Sequence, residues 1–99
     1  MAETFMKAAS SPLPEVAEQY EQADLKLLVA LCRELQRGAG EHPFYLSCRT
    51  AGGLLEVTAM TAYRWLFLLV SDGVLREVEK GGPKTRKATR FRYLVPLNE

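Results

Sequence analysis

Cysteine, histidine and long apolar runs are all scarce in this chain, and each scarcity closes off a class of protein. Cys32 and Cys48 are the only cysteines, and the single histidine, His42, lies between them. Two cysteines cannot build a disulfide-dense scaffold. The ligands are also too few and too widely spaced for a Cys/His zinc site, so both cysteines read as small buried hydrophobes. No apolar run, Trp65 to Val70 included, exceeds six residues. A membrane span needs about 20, and no membrane partner is expected. No cationic start followed by a small-residue cleavage site is visible, so the expected compartment is the cytoplasm. Ninety-nine residues suffice for one domain, which buries roughly 60–65% of the surface its unfolded chain exposes. Apolar residues at 47% and charged residues at 25% are ordinary for a folded globular chain.

Net charge is only +1, but it is unevenly spread. Residues 1–42 carry four Lys/Arg and seven Asp/Glu, whereas residues 43–99 carry nine and five. A basic half can meet a polyanion while the acidic half keeps the chain soluble. The cations concentrate between Lys80 and Arg92, where Lys80, Lys84, Arg86, Lys87, Arg90 and Arg92 follow one another with no intervening acid.

The pattern of apolar positions predicts an α+β fold, mainly helical. Residues 1–14, with Ser10-Ser11-Pro12-Leu13-Pro14, read as a flexible N-terminal segment that is mobile or only locally helical. Residues 15–97 read as the folded domain. Val16, Tyr20, Ala23, Leu27, Leu28, Leu31 and Leu35 recur at helical steps, as one long helix or as two divided near Gln22–Asp24. Arg33 and Arg37 suit the negative end of that helix, and Gly38-Ala39-Gly40 stops it. Phe44 to Ser47 reads as a short strand, Cys48–Leu55 as a short helix capped by Ser47, and Ala59–Ser71 as a helix capped by Thr58. Strands follow over Val74–Glu79 and Arg90–Val95, joined by a polar loop. Strand alternation turns Phe91 and Tyr93 inward and Arg90 and Arg92 outward.

Two short helices joined by three residues form a helix-turn-helix, and a hairpin after it supplies a wing. Ala51, Leu55, Val57, Ala62 and Trp65 are expected between the two helices, with Gly52 at their closest approach, where only a very small residue fits. Leu66, Leu69 and Val70 extend the buried face of the second helix. Its opposite face displays Met60, Thr61, Arg64 and Phe67, with Tyr63 at the border. Such a helix fits a B-DNA major groove about 12 Å wide. Arg64 suits guanine O6 and N7, or is held by a phosphate or a local acid instead. Met60 and Thr61 suit thymine methyls, and Thr58 with the helix N-terminus suits a phosphate. Tyr63 reads equally as packing or phosphate contact. Phe67 and Leu68 read as core against the first helix, with a partner surface as the other reading.

The stretch Ala51-Gly52-Gly53-Leu54-Leu55-Glu56-Val57-Thr58-Ala59-Met60-Thr61-Ala62-Tyr63-Arg64-Trp65-Leu66 resembles the helix-turn-helix of bacterial and phage DNA-binding proteins. Leu69-Val70-Ser71-Asp72-Gly73-Val74-Leu75 is similar to the step into the wing of winged-helix proteins, and the whole resemblance covers about residues 24–95. It is most like modules attached to phage or plasmid replication proteins, primase-type enzymes included. It implies double-stranded DNA as partner, in replication or transcription control, with Met60, Thr61, Tyr63 and Arg64 on bases. Thr58, Lys80, Lys84, Arg86, Lys87 and Arg90 would lie on the backbone. A homodimer partner or a larger replication protein would raise the effective affinity. One departure is Glu56, where the family usually has glycine. A left-handed backbone there costs a glutamate on the order of 1 kcal/mol.

Other classes are represented more weakly. Gly81-Gly82-Pro83-Lys84-Thr85 bears a faint likeness to a phosphate loop but lacks its glycine spacing and strand-to-helix setting. No Ser/His/acid or Cys/His arrangement stands out, so neither catalysis nor a metal or cofactor is expected. A protein-interaction module without DNA binding, using Phe67, Leu68 and the acidic first helix, is the main alternative. Single-stranded nucleic acid stacking on Tyr45, Tyr63 or Phe67 is a third.

Overall fold

A computed structural model describes residues 2–79 and 89–97. It is an α+β structure, mainly helical, with a three-stranded antiparallel sheet. The central element is α2 (Ala23–Ala39), whose middle is buried on nearly every side through Leu28, Val29, Ala30, Leu31 and Cys32. A helix apolar all round must be covered all round. On one side lie α1 (Ala2–Ser10) and a 3₁₀ helix (Glu15–Gln19); on the other lie α3 (Cys48–Leu55) and the sheet. Burial raises the thiol pKa of Cys32 far above its ordinary value, as expected of an inert core residue.

The N-terminal segment differs from the loose end that its prolines suggest. Residues 2–10 form a helix packed on α2, with Ala8 fully buried and Phe5 partly so. The amide and hydroxyl of Ser11 both donate to the Lys7 carbonyl, closing the helix. The cause is tertiary. Arg33, expected near the negative end of its helix, is buried and donates from Nη2 to the Pro12 carbonyl at 2.8 Å. Nine residues carry too little periodicity to reveal such a contact.

The division near Gln22 is present, since Gln22 is extended and α2 starts after it. At the far end Gly40 has φ 65°, a backbone glycine adopts without penalty. Gln36, buried on α2, then fixes the sheet. Its Oε1 accepts from the Tyr93 amide at 2.9 Å, and its Nε2 donates to the carbonyls of Gly40 and His42. Every polar atom of that amide thereby has a partner, as burial requires.

The strands are β1 (Phe44–Tyr45), β2 (Leu75–Glu79) and β3 (Arg90–Tyr93), in the order β1-β3-β2. They are shorter than their apolar patterns suggested. Phe44 opposes Phe91, Leu75 opposes Tyr93 and Arg76 opposes Arg92. Phe91 and Tyr93 are buried while their arginine neighbours are less so, following the expected alternation. Among the described residues no single helix is long and apolar enough to cross a membrane.

Tyr20 links the two ends of the fold. Its hydroxyl donates to Asp72 Oδ2 at 2.8 Å, just past the end of α4 (Ala59–Ser71). Burial first, and then the Asp72 carboxylate, push the phenol pKa from 10.0 up to about 12. The folded chain holds the protonated form more tightly than the unfolded chain does. Its contribution is therefore complete below pH 10 and is lost as pH rises toward about 12. Tyr20→Phe is expected to lower stability by about 1 kcal/mol at neutral pH. It should also flatten the decline across the alkaline window, as read by urea unfolding at several pH values. An unchanged alkaline profile would assign that decline to other groups.

Candidate nucleic-acid interface

The site is built on α3, the turn after it, and α4. Ser47 caps α3, its hydroxyl accepting from the Thr50 amide at 3.0 Å. Thr58 caps α4 in the same way, accepting from the Thr61 amide at 3.1 Å. Both boundaries are those the sequence predicts. Between the helices the chain turns through 107°, inside the range of helix-turn-helix pairs.

The turn is a Schellman motif with an unusual occupant. The amides of Glu56 and Val57 both donate to the Gly52 carbonyl, which ties off the last turn of α3. Glu56 adopts φ 58°, ψ 39°, the left-handed conformation. Glycine's usual place is thus held by a glutamate that bears the strain. A Cβ on Gly52 would lie 2.8 Å from the Val57 carbonyl oxygen and 3.2 Å from the Ala59 nitrogen. The backbones of α3 and the start of α4 touch here, as expected from the unfavourable glycine in a helix.

Ala51, Leu55, Ala62, Leu66 and Leu69 are buried, and Val57, Trp65 and Val70 are partly so. They bind α4 to the core by one side and leave the other open. Of the candidate base-contacting residues, Met60 is 60% exposed and Tyr63 46%. Arg64 is exposed and Thr61 half-exposed. Among the described residues no acid pairs with Arg64. The Tyr63 ring rests against Phe67 at 4.6 Å between centroids. Phe67 and Leu68, read above as core, are 39% and 40% exposed, because the covering residues belong to α3 and β2 and not to the first helices. Along α4 the open face is therefore one arginine and one threonine among apolar side chains. A cleft of about 190 Å³ runs from it to the sheet, between Tyr63, Phe67, Glu77 and Phe91. Cys48, only half-buried at its rim, has a thiol pKa raised by burial.

The backbone-contact set divides. The Thr58 hydroxyl donates to Thr61 Oγ1 at 2.9 Å while it caps the helix, so it is already engaged. Arg90 lies on the sheet, bonded to Glu79 at 3.1 Å and stacked over Tyr45 at 5.3 Å. It belongs with Arg76 and Arg92, away from α4. Lys80, Lys84, Arg86 and Lys87 lie outside the described residues. Sequence reasoning missed Arg76, because Glu77 and Glu79 separate it from the basic run. The alternation beginning at buried Leu75 was the signal that turns it outward.

Comparison with protein-family models, with curated proteins and with solved structures gives no match for this chain.

Proposed function

We propose that the protein is a winged helix-turn-helix domain that binds double-stranded DNA, with α4 as recognition helix in the major groove and residues 80–92 as the wing. The observation that carries this reading is the open face of α4. The helix is seated on α3 at 107°, with Met60, Tyr63 and Arg64 exposed among the described residues. The order helix, strand, two helices, strand, strand, with β3 between the other two strands, supports the same architecture. Arg64 is the polar reader on this face, able to bond one guanine in bidentate fashion, and Met60 and Thr61 offer methyl contacts. The lysines and arginines between 80 and 92 supply the attraction to phosphate. A role in replication or in transcription control is part of the proposal.

Selection from a random duplex pool tests it. Enrichment of a short motif is expected, and Arg64→Ala should relax it at one guanine, a contact worth about 1–3 kcal/mol of discrimination. Failure to retain any duplex at low salt would sink the reading. A second reading is favoured by one observation. Met60, Tyr63, Phe67 and Leu68 make the open face largely apolar, as on a protein-binding helix. In that case Phe67→Ser would abolish partner binding and Arg64→Ala would not.

A further inference from the structure

A second cationic surface lies on the sheet. Its inner face carries Phe44, Leu75, Phe91 and Tyr93 into the core. Its outer face carries Tyr45, Arg76, Arg90 and Arg92. Arg76 and Arg92 stand directly opposite each other across the strands, an arrangement of like charges that destabilises a sheet. Glu79 is the acid on this face among the described residues, and Arg90 already holds it. Arg92 donates one N–H to the Glu41 carbonyl, and a guanidinium has five such donors. Arg76 is exposed and forms no ion pair among the described residues. Tyr45 is 48% exposed, with the Arg90 guanidinium against its ring.

We infer that this outer sheet face binds a single strand of nucleic acid, with phosphates between Arg76 and Arg92 and a base on Tyr45. An intervening phosphate relieves the repulsion between the two facing arginines. A duplex would offer this face phosphates but no free base for Tyr45; a single strand offers both. The surface is distinct from α4 and does not rest on the duplex reading.

Fluorescence anisotropy on the full chain tests it, with labelled oligothymidylate and oligouridylate of about 20 nucleotides beside a duplex of equal length. The tighter of the two single strands names the one bound. Arg76→Gln with Arg92→Gln is expected to weaken single-strand binding roughly twentyfold at about 0.1 M salt and to reduce the salt slope by about 1.4. Tyr45→Leu should weaken it at least about fivefold. Arg64→Ala should leave it unchanged while altering duplex binding. Because Arg92 also holds the Glu41 carbonyl, Arg76→Gln alone is the control for folding, with about half the change in slope. Three results would overturn the inference: single-strand binding unaffected by either arginine variant, loss confined to Arg64→Ala, or equal affinity for polyglutamate. Loss of duplex binding with the single-strand results as expected would remove the duplex reading and leave this one standing.

Discussion

Alanine at position 52 is expected to destabilise the protein by about 1–3 kcal/mol, the usual range for forcing an extra carbon into a packed site. The contact is unusually rigid. The new Cβ would meet the Val57 carbonyl oxygen at 2.8 Å, and the next atoms, Thr58 C and Ala59 N, are also backbone. A flexible side chain could swing aside; here the turn itself must move. Gly52 also accepts the two amides that end α3, so displacement disturbs the cap together with the crossing. The gain in helix propensity from glycine to alanine, about 1 kcal/mol, offsets only part of this. Thermal unfolding should show a midpoint lower by about 4–8 °C per kcal/mol for a domain of this size. Two neighbours serve as controls of opposite sign. Gly53 faces open space, so Gly53→Ala should be neutral or stabilising by up to about 1 kcal/mol. Glu56→Gly should stabilise by about 1 kcal/mol, by releasing the left-handed strain. If Gly52→Ala were as stable as Gly53→Ala, close backbone contact would not explain the glycine.

These three positions also show what the sequence makes legible. Gly52 was readable because a glycine inside a helical pattern needs a cause, and close approach is the commonest one. Glu56 was readable as a conflict between a residue and the turn it occupies. The caps Ser47 and Thr58 set the starts of α3 and α4 because their hydroxyls accept from amides three residues on, a purely local signal. Where the deciding contact spans the chain, reading failed. Helix α1 packs through Phe5 and Ala8, the segment after it is tied by Arg33 to the Pro12 carbonyl, and nothing local announces that an arginine will be buried. The helical period put Phe67 on the open face, but the apolar character of Phe67 and Leu68 favoured a core against the first helix, and both are exposed. Arg90 was visible as part of a basic run, but its partners Glu79 and Tyr45 depend on register. A bulge between Glu77 and Glu79 shifts that register.

If the proposed duplex binding holds, neutralising Lys84, Arg86 and Lys87 to glutamine is expected to remove most of its salt dependence. The open face of α4 offers one cation, Arg64, among apolar neighbours, so phosphate attraction must come largely from elsewhere. Arg90 is held by Glu79, and Arg76 and Arg92 face each other on the outer side of the sheet, a surface separate from the α4 face. On the proposed reading the lysines and arginines from 80 to 87 would then be the main source. If four contacts neutralise phosphates, log K falls against log salt with a slope of about −3.6, or about 150-fold between roughly 50 and 200 mM. With three of the four removed, the slope should approach about −0.9, and the same change in salt should weaken binding only about fourfold. Base preference should survive in the triple variant, because Arg64, Met60 and Thr61 are untouched and phosphate contacts carry no sequence information. The converse holds for Arg64→Ala, which should relax preference and lower the slope by no more than about 1. A triple variant with the full slope would place the phosphate contacts on α3, α4 or the sheet. Loss of base preference together with the slope would mean that residues 80–88 read sequence as well as phosphate.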